Sequence, residues 1–187
     1  MPNLVLCQSS RDKWQQPEKI MDTVGIKPGM VIGEAGAGDG YFTFHLSKRV
    51  GDKGLIYAND IDEDELEELK ERAEREGVKN IKIIVGEEKD PLFPKDKSLD
   101  MVIMVLVFHH LDDHVTFFKN LIPSLKPGAP VVIVDRDPDK YGGNYSHFYT
   151  EEKTKKYMEE TDFKLERVET FLERDYILIY RLPQETL

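Results

Sequence analysis

The run Val31-Ile32-Gly33-Glu34-Ala35-Gly36-Ala37-Gly38-Asp39-Gly40 places Gly36, Gly38 and Gly40 two apart, directly behind an acid and an apolar stretch. Glycine lets a backbone turn sharply and approach a ligand with no Cβ in the way. A helix beginning near Tyr41 aims its free N–H groups at such a loop and favours a carboxylate or phosphate there. Two familiar glycine-loop chemistries fail on spacing. The dinucleotide fingerprint G-x-G-x-x-G, started at Gly36, puts Tyr41 where a small residue must let helix and strand pack closely, and no P-loop lysine follows the glycines.

A second candidate is Asp60, which closes Tyr57-Ala58-Asn59 about twenty residues beyond the loop. A carboxylate at the end of the second strand can accept both hydroxyls of an adenosine ribose. It can equally serve as an acid at a helix N-terminus, because a charged helix starts just after it; Asp62 is expected to take the capping role. A third is the pair His109-His110 behind the apolar run that ends at Val107. Imidazole titrates near neutral pH, and open α/β sheets carry their sites at the carboxyl edge. On an extended segment adjacent side chains point to opposite sides, so one of the two is expected to face the site.

The elements that must hold these groups alternate along the chain. A helix is expected over Pro17–Val24, with Ile20, Met21 and Val24 as its buried stripe, and strands follow at Met30–Ala35, Leu55–Asn59, Ile81–Val85, Leu99–Val107 and Val131–Asp135. Between them run helices at Tyr41–Arg49, Glu63–Glu76 and Asp112–Leu125, with another at Thr150–Glu160. The unbroken apolarity of Leu99–Val107 fits a strand covered on both faces, as in a parallel sheet. At the end, Leu165–Leu172 and Tyr176–Leu182 are separated by Glu173, Arg174 and Asp175 alone, which forces an antiparallel hairpin. Residues 1–13 show no period and read as a flexible tail, with a single domain over 14–187.

Composition limits the partners. With 36 acidic against 26 basic residues among 187, the formal net charge is -10, and no basic block supplies the phosphate contacts that nucleic-acid binding requires. The same balance disfavours an anionic membrane surface. Cys7 is the sole cysteine, so neither an internal disulfide nor a multi-cysteine zinc site is available. No metal site is expected. No apolar run is long enough to span a bilayer and no signal peptide opens the chain, so a cytoplasmic location is expected.

Glu34 to Gly40, an acid followed by G-x-G-x-G, resembles the first motif of class I S-adenosylmethionine-dependent methyltransferases. The motifs Gly-Ala-Gly-Asp-Gly-Tyr-Phe, Tyr-Ala-Asn-Asp-Ile, Leu-Asp-Met-Val, Val-Phe-His-His-Leu and Leu-Lys-Pro-Gly-Ala occur in that order. From Trp14 to Leu182 the chain is similar to the branch containing the ubiquinone and menaquinone C-methyltransferases and related small-molecule enzymes. The resemblance implies an α/β, Rossmann-like fold: a seven-stranded, mostly parallel sheet ordered 3-2-1-4-5-7-6, strand 7 antiparallel, with helices on both faces. It implies S-adenosylmethionine as cofactor, held by Glu34, Gly36, Ala37, Gly38, Gly40, Asp60, by Ile61 against the adenine and by Glu87 near its amino group, though Glu87 and Glu88 also read as surface charge. It favours His110 as the residue that orients or deprotonates an acceptor.

The acceptor is narrowed by absences. There is no Asn/Asp-Pro-Pro-Tyr/Phe pattern of amino-directed nucleic-acid enzymes at the fourth strand, no cysteine placed for cytosine C5 chemistry, no acid of the metal-dependent catechol type, and too few cysteines for arsenite. A small organic acceptor is the expectation, with a protein acceptor, a noncatalytic S-adenosylmethionine-binding or partner protein, and an NAD oxidoreductase as alternatives. Cover for the acceptor would come from Arg136–Tyr149, with Tyr141, Tyr145, His147 and Phe148, or from a second subunit in a homo-oligomer.

Overall fold

The computed structural model describes residues 10–141 and 147–183, Tyr141 through its backbone alone. Cys7, Tyr145 and most of the expected tail lie outside the described residues. A helical segment over residues 10–15 precedes α1 (Pro17–Val24), β1 (Val31–Ala35), α2 (Tyr41–Val50), β2 (Leu55–Asp60), α3 (Glu63–Glu76) and β3 (Ile81–Val85). The chain continues through β4 (Met101–Val105), α4 (His114–Leu121), β5 (Val131–Arg136), α5 (Glu151–Glu159), β6 (Lys164–Glu169) and β7 (Asp175–Arg181). The strands form one seven-stranded sheet in the order β3-β2-β1-β4-β5-β7-β6. β1 to β5 run parallel, and β7 runs antiparallel to both β5 and β6. Both the expected strand order and the terminal hairpin are present.

Period-two alternation with both faces covered explains why β4 carries no polar residue. Ile32, Ile56, Met101, Ile103, Val132 and Val134 pack on the face covered by α1, α2 and α3, with Ile20, Leu46 and Leu69 against them. Their neighbours Val102, Met104, Val131 and Ile133 face the other way, toward Phe117, Phe118 and Leu121 of α4 and Met158 of α5. Every residue of β4 is therefore buried, and a polar side chain on either face would need a buried partner. The edge strand β6, Lys-Leu-Glu-Arg-Val-Glu, is mostly exposed and charged, which suits an edge that must not pair with another chain.

β6 ends at Glu169 rather than Leu172, and two other boundaries differ from expectation for local reasons. β4 is shorter than Leu99–Val107: Leu99 makes only an isolated bridge to Leu125, and Leu106, at φ 62, turns the chain out of the sheet. The helix expected over Asp112–Leu125 is α4, capped by Asp113 on the Thr116 N–H, followed by a separate 3-10 turn, Ile122–Ser124. Pro123 has no N–H to continue the α-helical ladder.

Candidate functional site

Loops at the carboxyl ends of β1, β2 and β4 enclose a cavity of about 550 Å³, within the usual range for a small-molecule site. Its floor is the turn after β1. The N–H groups of Gly36 and Ala37 both donate to the Asn59 carbonyl at 2.8 Å, tying that turn to the end of β2. Gly36 has φ 74, and a Cβ there would sit 2.1 Å from Val107 Cγ2; both the conformation and the close approach require glycine.

Asp60 joins the two strand ends. Its Oδ2 accepts from the Gly38 N–H at 2.8 Å, while Oδ1 accepts from the N–H groups of Ile61 at 2.7 Å and Asp62 at 3.1 Å. Oδ2 retains a lone pair for a further donor. Asp62 takes the capping role, accepting from the Asp64 and Glu65 N–H groups at the start of α3. Ile61 lines the cavity with 59% of its surface exposed, an apolar face without protein cover, and Glu87 and Glu88 line the same side.

Of the residues expected at the site, Glu34, Gly36, Ala37, Gly38, Asp60, Ile61, Glu87 and His110 all line this cavity. Gly40 does not. It caps α2 at φ 88, and a Cβ there would lie 2.8 Å from Leu69 Cγ, so its place is in the packing of α2 on α3. Glu34 is buried and accepts from the Thr43 hydroxyl at 2.5 Å. Loss of hydration outweighs that hydrogen bond and the field of Arg11, and pushes its carboxyl up to about 8.

The histidine pair departs from the extended geometry expected of it. Phe108–His110 is a 3-10 turn, so the two rings lie beside each other with centroids 4.0 Å apart. The imidazole of His109 is buried, its Nδ1 2.8 and 2.9 Å from the two carboxylate oxygens of Asp135, which also accept from the His109 and Arg136 N–H groups. His110 is exposed at the cavity wall. Partial withdrawal from water, followed by the neighbouring His109, holds its pKa below the ordinary imidazole range. Phe148 packs 4.3 Å from His109, centroid to centroid, with His147 at 5.9 Å.

Two participants were not foreseen. Asp135 sits at the end of an apolar strand, and only the folded sheet brings it to His109. Arg11 reaches the cavity from the helical segment over residues 10–15, whose residues 10–13 were expected to belong to a tail. A lone arginine in an aperiodic stretch carries no motif that could have marked it.

Residues 1–148 match the model of the ubiE/COQ5 methyltransferase family. Over 133 residues the chain is 31% identical to demethylmenaquinone methyltransferase of Lactococcus lactis subsp. lactis, covering 71% of this chain and 52% of that protein. It is 28% identical to the Staphylococcus aureus protein of the same name, covering 71% and 53%. The chain thus spans about half the length of these relatives. Among solved structures, a SAM-dependent methyltransferase from Aquifex aeolicus superposes with a TM-score of 0.86 at 28% identity, covering 93% of both chains. The [4+2]-cyclase SpnF superposes at 0.76 with 10% identity, covering 91% of this chain and 80% of that one.

Proposed function

Because the chain belongs to the ubiE/COQ5 methyltransferase family, we propose that its cavity binds S-adenosylmethionine and that it methylates a small organic acceptor. The observation that carries this reading is the Gly38 N–H to Asp60 carboxylate bond, which sets a close-approach loop and a ribose-type acid side by side in one cavity. The fold by itself does not carry it, since the SpnF cyclase has the same architecture. The cradle fits the cofactor: the glycine turn leaves room for a ligand backbone, Asp60 keeps a lone pair for a hydroxyl, and Ile61 offers an uncovered apolar face.

S-adenosylmethionine supplies a sulfonium-bound methyl group that transfers by in-line displacement. The chain then has to hold a nucleophile behind that methyl, and such positioning removes roughly 7 to 11 kcal/mol of barrier. His110 is placed at the cavity wall, beyond the end of β4, to orient the acceptor or take its proton. His109, locked to Asp135, fixes the turn on which His110 stands. No helix among the described residues is long and apolar enough to cross a membrane.

Thermal melting tests the donor assignment. S-adenosylhomocysteine at about a hundred times its Kd should raise Tm by roughly 5 to 10 °C, and NAD should leave it unchanged. A melt shifted by NAD and not by S-adenosylhomocysteine would overturn the assignment.

A further inference from the structure

Among the described residues, eight acidic side chains line the cavity, and the one guanidinium beside them belongs to Arg11. Arg11 lies with its Cζ 3.8 Å from the centroid of the Tyr41 ring and donates from Nε to Gln15 Oε1 at 2.7 Å. The segment that carries it is pinned to α2: Asp12 accepts from the Tyr41 hydroxyl at 2.6 Å and lies 3.2 Å from His45 Nε2. Since Tyr41 is the first residue of α2, the guanidinium stands over the turn that follows β1, within the electrostatic reach of Glu34 and Asp39. Its two terminal nitrogens have no hydrogen-bond partner among the described residues.

A guanidinium presents a planar fork of donors that matches a carboxylate two bonds at a time. S-adenosylmethionine and S-adenosylhomocysteine each carry one anionic group, the α-carboxylate at the end remote from the adenine. A ribose held at Asp60, on the β2 side, would leave the part of the cavity at β1 and α2, where Arg11 stands, to the amino-acid end. Resting on the function proposed above, we infer that Arg11 is the receptor for the donor's α-carboxylate. The segment over residues 10–15 then forms part of the donor site and confers selectivity for donors that keep their amino-acid end. Charge makes the selectivity steep. The surrounding acids repel a carboxylate and attract an ammonium, so without Arg11 the cavity would favour a ligand stripped of its carboxylate.

Calorimetric titration with two ligands tests this: S-adenosylhomocysteine and its decarboxylated analogue, S-adenosyl-3-thiopropylamine. The wild-type chain should prefer S-adenosylhomocysteine tenfold or more. Arg11→Gln should weaken S-adenosylhomocysteine roughly ten- to hundredfold, the span for a hydrogen bond to a charged group, and leave the analogue within about twofold. Loss of both ligands in equal measure, or of neither, would overturn the inference while leaving the donor assignment standing. If Arg11→Gln does not fold, the wild-type preference decides, and equal affinity for the two ligands overturns the inference. Failure of the wild-type chain to bind S-adenosylhomocysteine at all would overturn both the donor assignment and the inference.

Discussion

On the β1–β2 side of the cavity the working parts are mostly backbone: the N–H groups of Gly36, Ala37 and Gly38 are held by Asn59 and Asp60 at the neighbouring strand end. On the β4–β5 side they are side chains, and their order depends on His109 meeting Asp135, 26 positions away in sequence. The first arrangement follows from chain conformation and tolerates almost no added volume. The second follows from a long-range pairing and leaves His110 open at the wall.

Were the β1–β2 side anything other than a backbone cradle, adding one carbon would do little. Gly36→Ala should instead have the largest effect of any single change here, because its Cβ would overlap Val107 at a φ of 74. The left-handed conformation and the overlap together should cost roughly 2 to 5 kcal/mol of stability, with S-adenosylhomocysteine binding lost as the turn shifts. Denaturant melts and calorimetry check this. Val107→Ala in the same chain should recover part of the loss, and a single variant with unchanged midpoint and affinity would break the comparison.

Asp60→Ala should have a smaller effect. It removes an acceptor for the ligand and the partner of the Gly38 N–H, and should weaken S-adenosylhomocysteine by roughly 1.5 to 3 kcal/mol in a chain that still folds. Calorimetry that finds unchanged affinity would remove Asp60 from the site.

The same contrast accounts for what could be read from sequence. Gly36, Gly38 and Asp60 announce themselves because a backbone turn constrains residue type within a few positions, and the alternation of apolar runs with the short connection around Glu173 gives a mostly parallel sheet with a reversed last strand, while the lateral strand order was legible only through the family resemblance. Gly40 misled because spacing does not distinguish a glycine that lines a cavity from one that packs against Leu69. Asp135 and Arg11 were invisible for a different reason. Each acts through a partner brought close only by the sheet or by the docking of the segment at residues 10–15, and nothing local requires them.

The smallest effect on the donor should come from the wall opposite. His110→Ala removes a side chain exposed at the end of the 3-10 turn that makes none of the hydrogen bonds holding the Gly38 N–H and the Asp60 carboxylate. S-adenosylhomocysteine affinity should therefore change by no more than about twofold, within the scatter of ordinary surface substitutions. Turnover, once an acceptor is found by screening with labelled methyl donor, should fall by roughly 10² or more if the imidazole takes the acceptor's proton. The pH profile carries a sign. A base must be neutral to accept a proton, and His110 is held below the ordinary imidazole range by partial burial and by His109. Its neutral form thus persists to lower pH than that of a free imidazole, and the acid limb of the rate profile should be displaced in the same direction. His110→Ala should abolish that limb. A variant that keeps full turnover with the wild-type profile would remove His110 as the base and leave the β4–β5 wall as a positioning surface alone.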